Sequence, residues 1–278
     1  MHVIDKPRML AAVALGLLTA TWMAPARSET VEIFAAGSLR GVVNELAQQA
    51  GTELGIEVKS SFGGSGLMRE RIEKGESPDL LLSADLGSPR KLEAMHRTVV
   101  PAIAFARNQM CILSRRSARV RASNLIDRML EKNVRLKTST PVADPSGDYA
   151  WAIFERIDAL RPGSGALLRQ KAQTSMNLTP PQGTAVQNPT AALFASNQID
   201  LSITYCSGVP TLQQDAPELA SLVVPPQLDP HPVYGAAVLS AKPQALQLAL
   251  YLLSEKGQAI IARQGLVPLV EPPMAAQP

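Results

Sequence analysis

Val31-Glu32-Ile33-Phe34-Ala35-Ala36-Gly37-Ser38-Leu39 decides the fold class. Val31 to Ala35 has the β-branched and aromatic composition of a short strand, and Val42, Val43, Leu46, Ala47 and Ala50 then recur at helical spacing on one face. A strand therefore runs into a helix at Gly37-Ser38, where serine is a favoured N-cap because its hydroxyl accepts from an unpaired N–H of the first turn. The unit then repeats. Ile56 to Phe62 is a second strand, Gly63-Gly64-Ser65-Gly66 is its turn, and Leu67, Met68 and Ile72 mark a second helix ending at Gly75. Leu80-Leu81-Leu82 is a third strand, after which Ser88-Pro89 opens another helix with a capping residue and an early proline.

Continuous apolar strands separated by amphipathic helices predict an α/β protein whose sheets are mostly parallel and covered on both faces. The alternation continues with strands at Met110 to Leu113, Val134 to Leu136, Leu201 to Tyr205 and Tyr234 to Leu239. Helices are predicted at Leu125 to Leu130, Tyr149 to Leu160, Thr190 to Asn197, Gln244 to Leu253 and Gly257 to Arg263. Arg161-Pro162-Gly163-Ser164-Gly165 and Thr179-Pro180-Pro181-Gln182-Gly183 are breaker clusters expected in surface loops. The proline-rich stretch Pro225 to Pro232 suits a crossover between two lobes.

Lys6 and Arg8 precede an uncharged, mostly apolar run from Met9 to Met23 and then Ala24-Pro25-Ala26, the layout of a secretory signal peptide over residues 1–26. The run is shorter than the roughly 20 residues that span a bilayer. About 250 residues remain, which suits two lobes of roughly 100 to 150 each. The division expected is 27–105 with 229–270 for the first lobe, 106–228 for the second and a flexible tail at 271–278. Discarding Lys6, Arg8 and Asp5 takes the net charge from +3 to +2. No basic run or aromatic-interleaved stripe is present, which argues against a nucleic-acid partner. Cys111 and Cys206 each sit in or beside an apolar strand and could form one disulfide in an oxidising compartment or remain buried thiols. His2, His96 and His231 are scattered and no metal-ligand spacing occurs, so neither a metal site nor a cofactor is expected. No G-x-S-x-G is present, which removes one route to an exported hydrolase.

The candidate chemistry lies at strand ends, where helix N-termini converge. Ser38 and Ser65 each open a helix there, beside glycines that let backbone amides approach a ligand. Such neutral donors, with no obligatory base, suit an oxyanion that carries no proton, such as molybdate, tungstate or sulfate. A monoprotonated phosphate would want an acceptor.

The quoted stretch, together with Ser60-Ser61-Phe62-Gly63-Gly64-Ser65-Gly66 and Pro78-Asp79-Leu80-Leu81-Leu82-Ser83-Ala84-Asp85, resembles in order and spacing the periplasmic molybdate-binding proteins of ABC transporters. Looser similarity runs through Ala143-Asp144-Pro145 and Leu201-Ser202-Ile203-Thr204-Tyr205 to Gly257–Gly265. The resemblance implies a type II periplasmic binding fold, two α/β lobes closing on an anion by a hinge. It also implies a monomeric, non-enzymatic periplasmic protein that delivers molybdate or tungstate to a membrane permease. Carried over by position, Ser38 and Ser65 correspond to donors of the first lobe and Tyr205 to a phenol of the second. Two backbone donors are expected near Tyr149 and at Gln187 or Asn188. The segment Asp144 to Tyr149 is shorter than the family's loop and puts Asp148 near the anion, where a carboxylate would repel it. Receptors for another oxyanion or a chelated solute, or a sensory binding protein, remain the alternatives.

Overall fold

A computed structural model describes residues 29–181, 186 and 188–270. The expected signal segment, the expected tail and Gln187 lie outside the described residues. The first sheet contains β1 (Thr30–Ala36), β2 (Glu57–Gly63), β3 (Leu80–Ser83), β4 (Ile103–Arg107), β9 (Val233–Val238) and β10 (Val267–Pro268), in the order β10-β4-β9-β3-β1-β2. The second contains β5 (Met110–Arg115), β6 (Leu136–Lys137), β7 (Leu201–Tyr205) and β8 (Leu219–Val223), in the order β6-β7-β5-β8. Helices α1 (Arg40–Leu54), α2 (Ser65–Glu73), α3 (Gly87–Ala94), α9 (Pro243–Leu253) and α10 (Glu255–Arg263) belong to segments flanking the first sheet's strands. Helices α4 (Leu125–Leu130), α5 (Pro145–Leu160), α6 (Ser164–Ser175), α7 (Pro189–Ala195) and α8 (Val209–Asp215) connect strands of the second.

The α/β class and the two-lobed arrangement hold, but the sheets are mixed. Only β1–β2, β1–β3 and β6–β7 pair in parallel among the described strands, while β9 runs antiparallel to β3 and β4, and β5 antiparallel to β7 and β8. The expectation of mostly parallel pairing rested on continuous apolar runs such as Leu80 to Leu82, all fully buried. Such runs report cover on both faces and say nothing about strand direction. A strand that arrives from the other lobe, as β9 does, is not bound to the direction of a βαβ unit.

Phe34, Leu81 and Ala237 pack with Met68, Ile72 and Leu92 on one face of the first sheet. Val31, Ile33, Leu80 and Leu82 join the larger core that also takes in α1 and α9. The chain passes between lobes twice, at Asn108-Gln109 and through 224–232. The two crossovers are joined, since Asn108 N–H donates to Pro232 O at 2.9 Å and Val224 N–H to Met110 O at 2.8 Å.

Cys111 and Cys206 form a disulfide with Cα atoms 5.0 Å apart, closing a loop 95 residues long in sequence. It pins β5 to the residue that follows Tyr205 at the end of β7. Helix α6 begins at Ser164, inside what composition marked as a loop, because Gly163 takes φ 88° and Asp158 accepts the N–H of Gly165 at 2.8 Å.

Candidate functional site

A cleft of about 180 Å³ opens where β1 and β2 end. Its first wall is Ala36, Gly37, Ser38, Gly63, Gly64 and Ala84, and its second is Ser139, Asp144, Ser146, Thr204 and Tyr205. Pockets for drug-sized ligands run about 300 to 1,000 Å³, so this one suits a compact ion rather than an extended solute. A larger hollow of about 480 Å³ between α1 and α10 is a surface groove whose Lys256 pairs with Glu53 and whose Arg263 pairs with Glu45.

Neither serine is a helix cap. Ser38 Oγ lies 3.0 Å from Tyr234 Oη, and the turn Gly37–Leu39 has no side-chain cap. Ser65 is fully buried at the first position of α2, where its Oγ accepts the N–H of Ala84 at 3.0 Å. The expectation of N-caps fails because each hydroxyl has a tertiary partner beyond reach of local sequence. Ser88 is likewise no cap, since Asp85 accepts both its N–H and, at 3.0 Å, its hydroxyl.

Tyr205 is 6% exposed and lines the second wall, and its Oη has no hydrogen-bond partner among the described residues. Burial, followed by the neighbouring Tyr234 and Asp144, pushes its pKa well above the ordinary phenol value, so the group keeps its proton and has it free to donate. A buried hydroxyl left unpaired costs about 1 to 3 kcal/mol, which a ligand at this wall would recover.

Ser65, Tyr149 and Asn188 are not brought into the cleft lining. The Tyr149 ring stands edge-on to Tyr205, centroids 6.2 Å apart, and its hydroxyl donates to Ala84 O at 3.4 Å. Asn188 caps α7, its Oδ1 accepting from Thr190 and Ala191, and its own N–H goes to Asp215 at 3.0 Å. The structure instead brings Ser139, Asp144, Ser146 and Thr204 to the cleft. For α5 a signal was present, since Asp144-Pro145 is a cap followed by proline at the first helical position, and Asp144 Oδ1 does accept Ser146 N–H at 3.0 Å. The helix therefore starts before Tyr149 and presents Ser146 to the cleft.

Asp148 is turned away from the cleft and accepts the N–H of Val142 at 3.0 Å. Val142 has φ 69°, a costly conformation for a β-branched residue. Asp148 thus braces the turn that carries Val142 and Ala143 against the first lobe. There Leu67 N–H donates to Ala143 O at 3.3 Å, and Gly66 and Gly64 pack on the Val142 and Ala143 carbonyls.

Burial raises the Asp148 pKa above the ordinary aspartate value, and Asp85 and Asp144 raise it further against the opposing Val142 N–H and Lys91. A carboxyl raised on folding favours the folded state below its unfolded pKa, about 3.9, and loses that contribution as pH rises through the folded value. Asp148→Asn keeps the acceptor for Val142 and is expected to raise the melting temperature modestly at neutral pH. Melting curves against pH check this: the gap should close near pH ~4, and a pH-independent gap would contradict the assignment.

Residues 31–267 match the family described as bacterial extracellular solute-binding protein. The chain belongs to that family. Among relatives, an uncharacterized protein of Pasteurella multocida is 34% identical over 230 residues, covering 80% of this chain and 92% of its own. The molybdate-binding protein ModA of Escherichia coli is 40% identical over 55 residues, covering 20% of this chain and 21% of its own. The sulfate-binding protein SubI of Mycobacterium tuberculosis superimposes with a TM-score of 0.71 at 14% identity, covering 87% of each chain. At that identity the likeness concerns the fold, the two-lobed type II architecture of extracytoplasmic solute-binding proteins.

Proposed function

We propose that this solute-binding protein captures a small tetrahedral oxyanion, molybdate or tungstate, in the periplasm and delivers it to the permease of an ABC transporter. The observation that carries the proposal is the unpartnered Tyr205 hydroxyl at the wall of a cleft sized for a compact ion. Ser38 adds a hydroxyl at the opposite wall, so donors from both lobes can meet one ligand and favour closure. The short identity to ModA and the sequence motifs support molybdate. Export through residues 1–26 and a monomeric state complete the reading.

Calorimetric titration with molybdate, tungstate, sulfate and phosphate tests it. Molybdate and tungstate should bind most tightly. Tyr205→Phe should weaken them by about 10- to 100-fold, the value of a hydrogen bond to a charged group. A Tyr205→Phe protein with unchanged affinity, or a wild type that ignores all four ions, would end the proposal.

Asp144 favours a second reading. Its carboxylate lines the cleft and would accept a proton from a ligand such as hydrogen phosphate, while repelling a bare dianion. Under this reading Asp144→Asn weakens phosphate binding. Under the first it strengthens molybdate binding, so the same titrations separate the two.

A further inference from the structure

We infer that Asn108 and Tyr234 set the direction of the Ser38 proton and keep it free for the ligand, so that Ser38 can donate to an ion that carries no proton of its own; the inference rests on the oxyanion reading above. The chain of bonds begins at the first crossover. Asn108 Oδ1 accepts the N–H of Gln109 at 2.9 Å, which fixes the amide orientation, because the flipped amide would face an N–H with its own donors. Its Nδ2 then donates twice, to Ser207 Oγ at 2.8 Å and to Tyr234 Oη at 3.0 Å.

Tyr234 is fully buried, and burial pushes its pKa up, so its hydroxyl is protonated. With Asn108 supplying a proton to Tyr234 Oη, the phenol's own proton needs an acceptor, and Ser38 Oγ at 3.0 Å is the one it has among the described hydrogen bonds. Were Ser38 to donate instead, the Tyr234 proton would be buried without a partner. Ser38 therefore accepts on its protein side, and its single proton is left for the cleft that it lines. Ser65 is loaded in the same sense by the N–H of Ala84. The polarity runs from the crossover to Ser38 and leaves its proton free for the cleft.

Competition of hydrogen phosphate against molybdate at mildly alkaline pH tests the relay, since both ions are then dianions and only phosphate carries a proton. Asn108→Asp reverses the relay, so that Ser38 donates to Tyr234 and meets the ligand only through a lone pair, and the preference for molybdate should fall about 30-fold or more; adding Tyr234→Phe releases the Ser38 proton again, and the preference should recover. The added charge of Asn108→Asp acts on both dianions and cancels in the ratio. A general structural loss would weaken both ions in parallel, and a neutron structure of the wild type keeps the relay testable even if Asn108→Asp does not fold: the Tyr234 deuteron should lie toward Ser38 Oγ, and a Ser38 deuteron aimed at Tyr234 overturns the relay. A wild type that binds neither ion overturns the oxyanion reading and this inference with it. A wild type that binds molybdate, with an unmoved ratio in Asn108→Asp, overturns this inference alone.

Discussion

Replacing Gly66 with valine is expected to weaken anion binding by about 100-fold or more while both lobes stay folded. A Cβ at position 66 would lie 1.7 Å from Val142 O and 2.8 Å from Val142 C, and at Gly64 it would lie 2.3 Å from Ala143 O. These are main-chain atoms of the opposite lobe, held by the Asp148 brace, and no rotamer change moves them aside. Gly66 has no positive φ and sits in the first turn of α2, so a side chain there leaves the helix itself intact. What fails is the approach of the lobes, and with it the Tyr205 wall. A hydrogen bond to a charged group contributes about 1.5 to 3 kcal/mol, and an open cleft forfeits more than one. Calorimetry gives the affinity, circular dichroism the fold, and small-angle scattering the closure, which should no longer follow ligand addition. Wild-type affinity in Gly66→Val would show that the contact is not needed for binding.

The second large effect is on stability. A cross-link closing about 95 residues removes chain entropy from the unfolded state worth about 4 to 5 kcal/mol in the loop-closure account. Exchanging Cys111 and Cys206 together for serine should therefore lower the melting temperature by roughly 8 to 20 °C. Reductant should lower the wild type's melting temperature similarly and leave the double variant unmoved. Because Cys206 directly follows Tyr205, the variant should also bind its solute several-fold more weakly. A melting temperature within a degree or two of wild type would refute the estimate.

The first half of the first sheet was legible because each element announces itself locally. Val31 to Ala35, Leu80 to Leu82 and the turns at Gly37 and Gly63 carry periodicity and breakers within a few residues. Ser38 and Tyr205 could be singled out, Ser38 from its strand end and Tyr205 from the resemblance, and both line the cleft. What those hydroxyls do was not legible. The partner of Ser38 lies 196 residues away, and the partner of Tyr234 at the crossover lies 126 residues away. The glycines of the second turn looked like room for a ligand, whereas Gly64 and Gly66 make room for the other lobe's backbone. Asn188 followed from the resemblance alone and proves to cap α7. Strands such as β4 and β8, five residues each, are too short for their apolar runs to stand out from loops, and strand direction leaves no local trace.

The paired crossovers have a mechanical consequence. Two tethers lying side by side and stitched to each other behave like the leaves of a door hinge: they suppress twisting and sliding and leave swinging as the soft coordinate. Capture then freezes little orientational freedom, so most of the attraction between solute and protein remains available as affinity. Release needs only a force at the rim far from the pivot, where leverage is greatest.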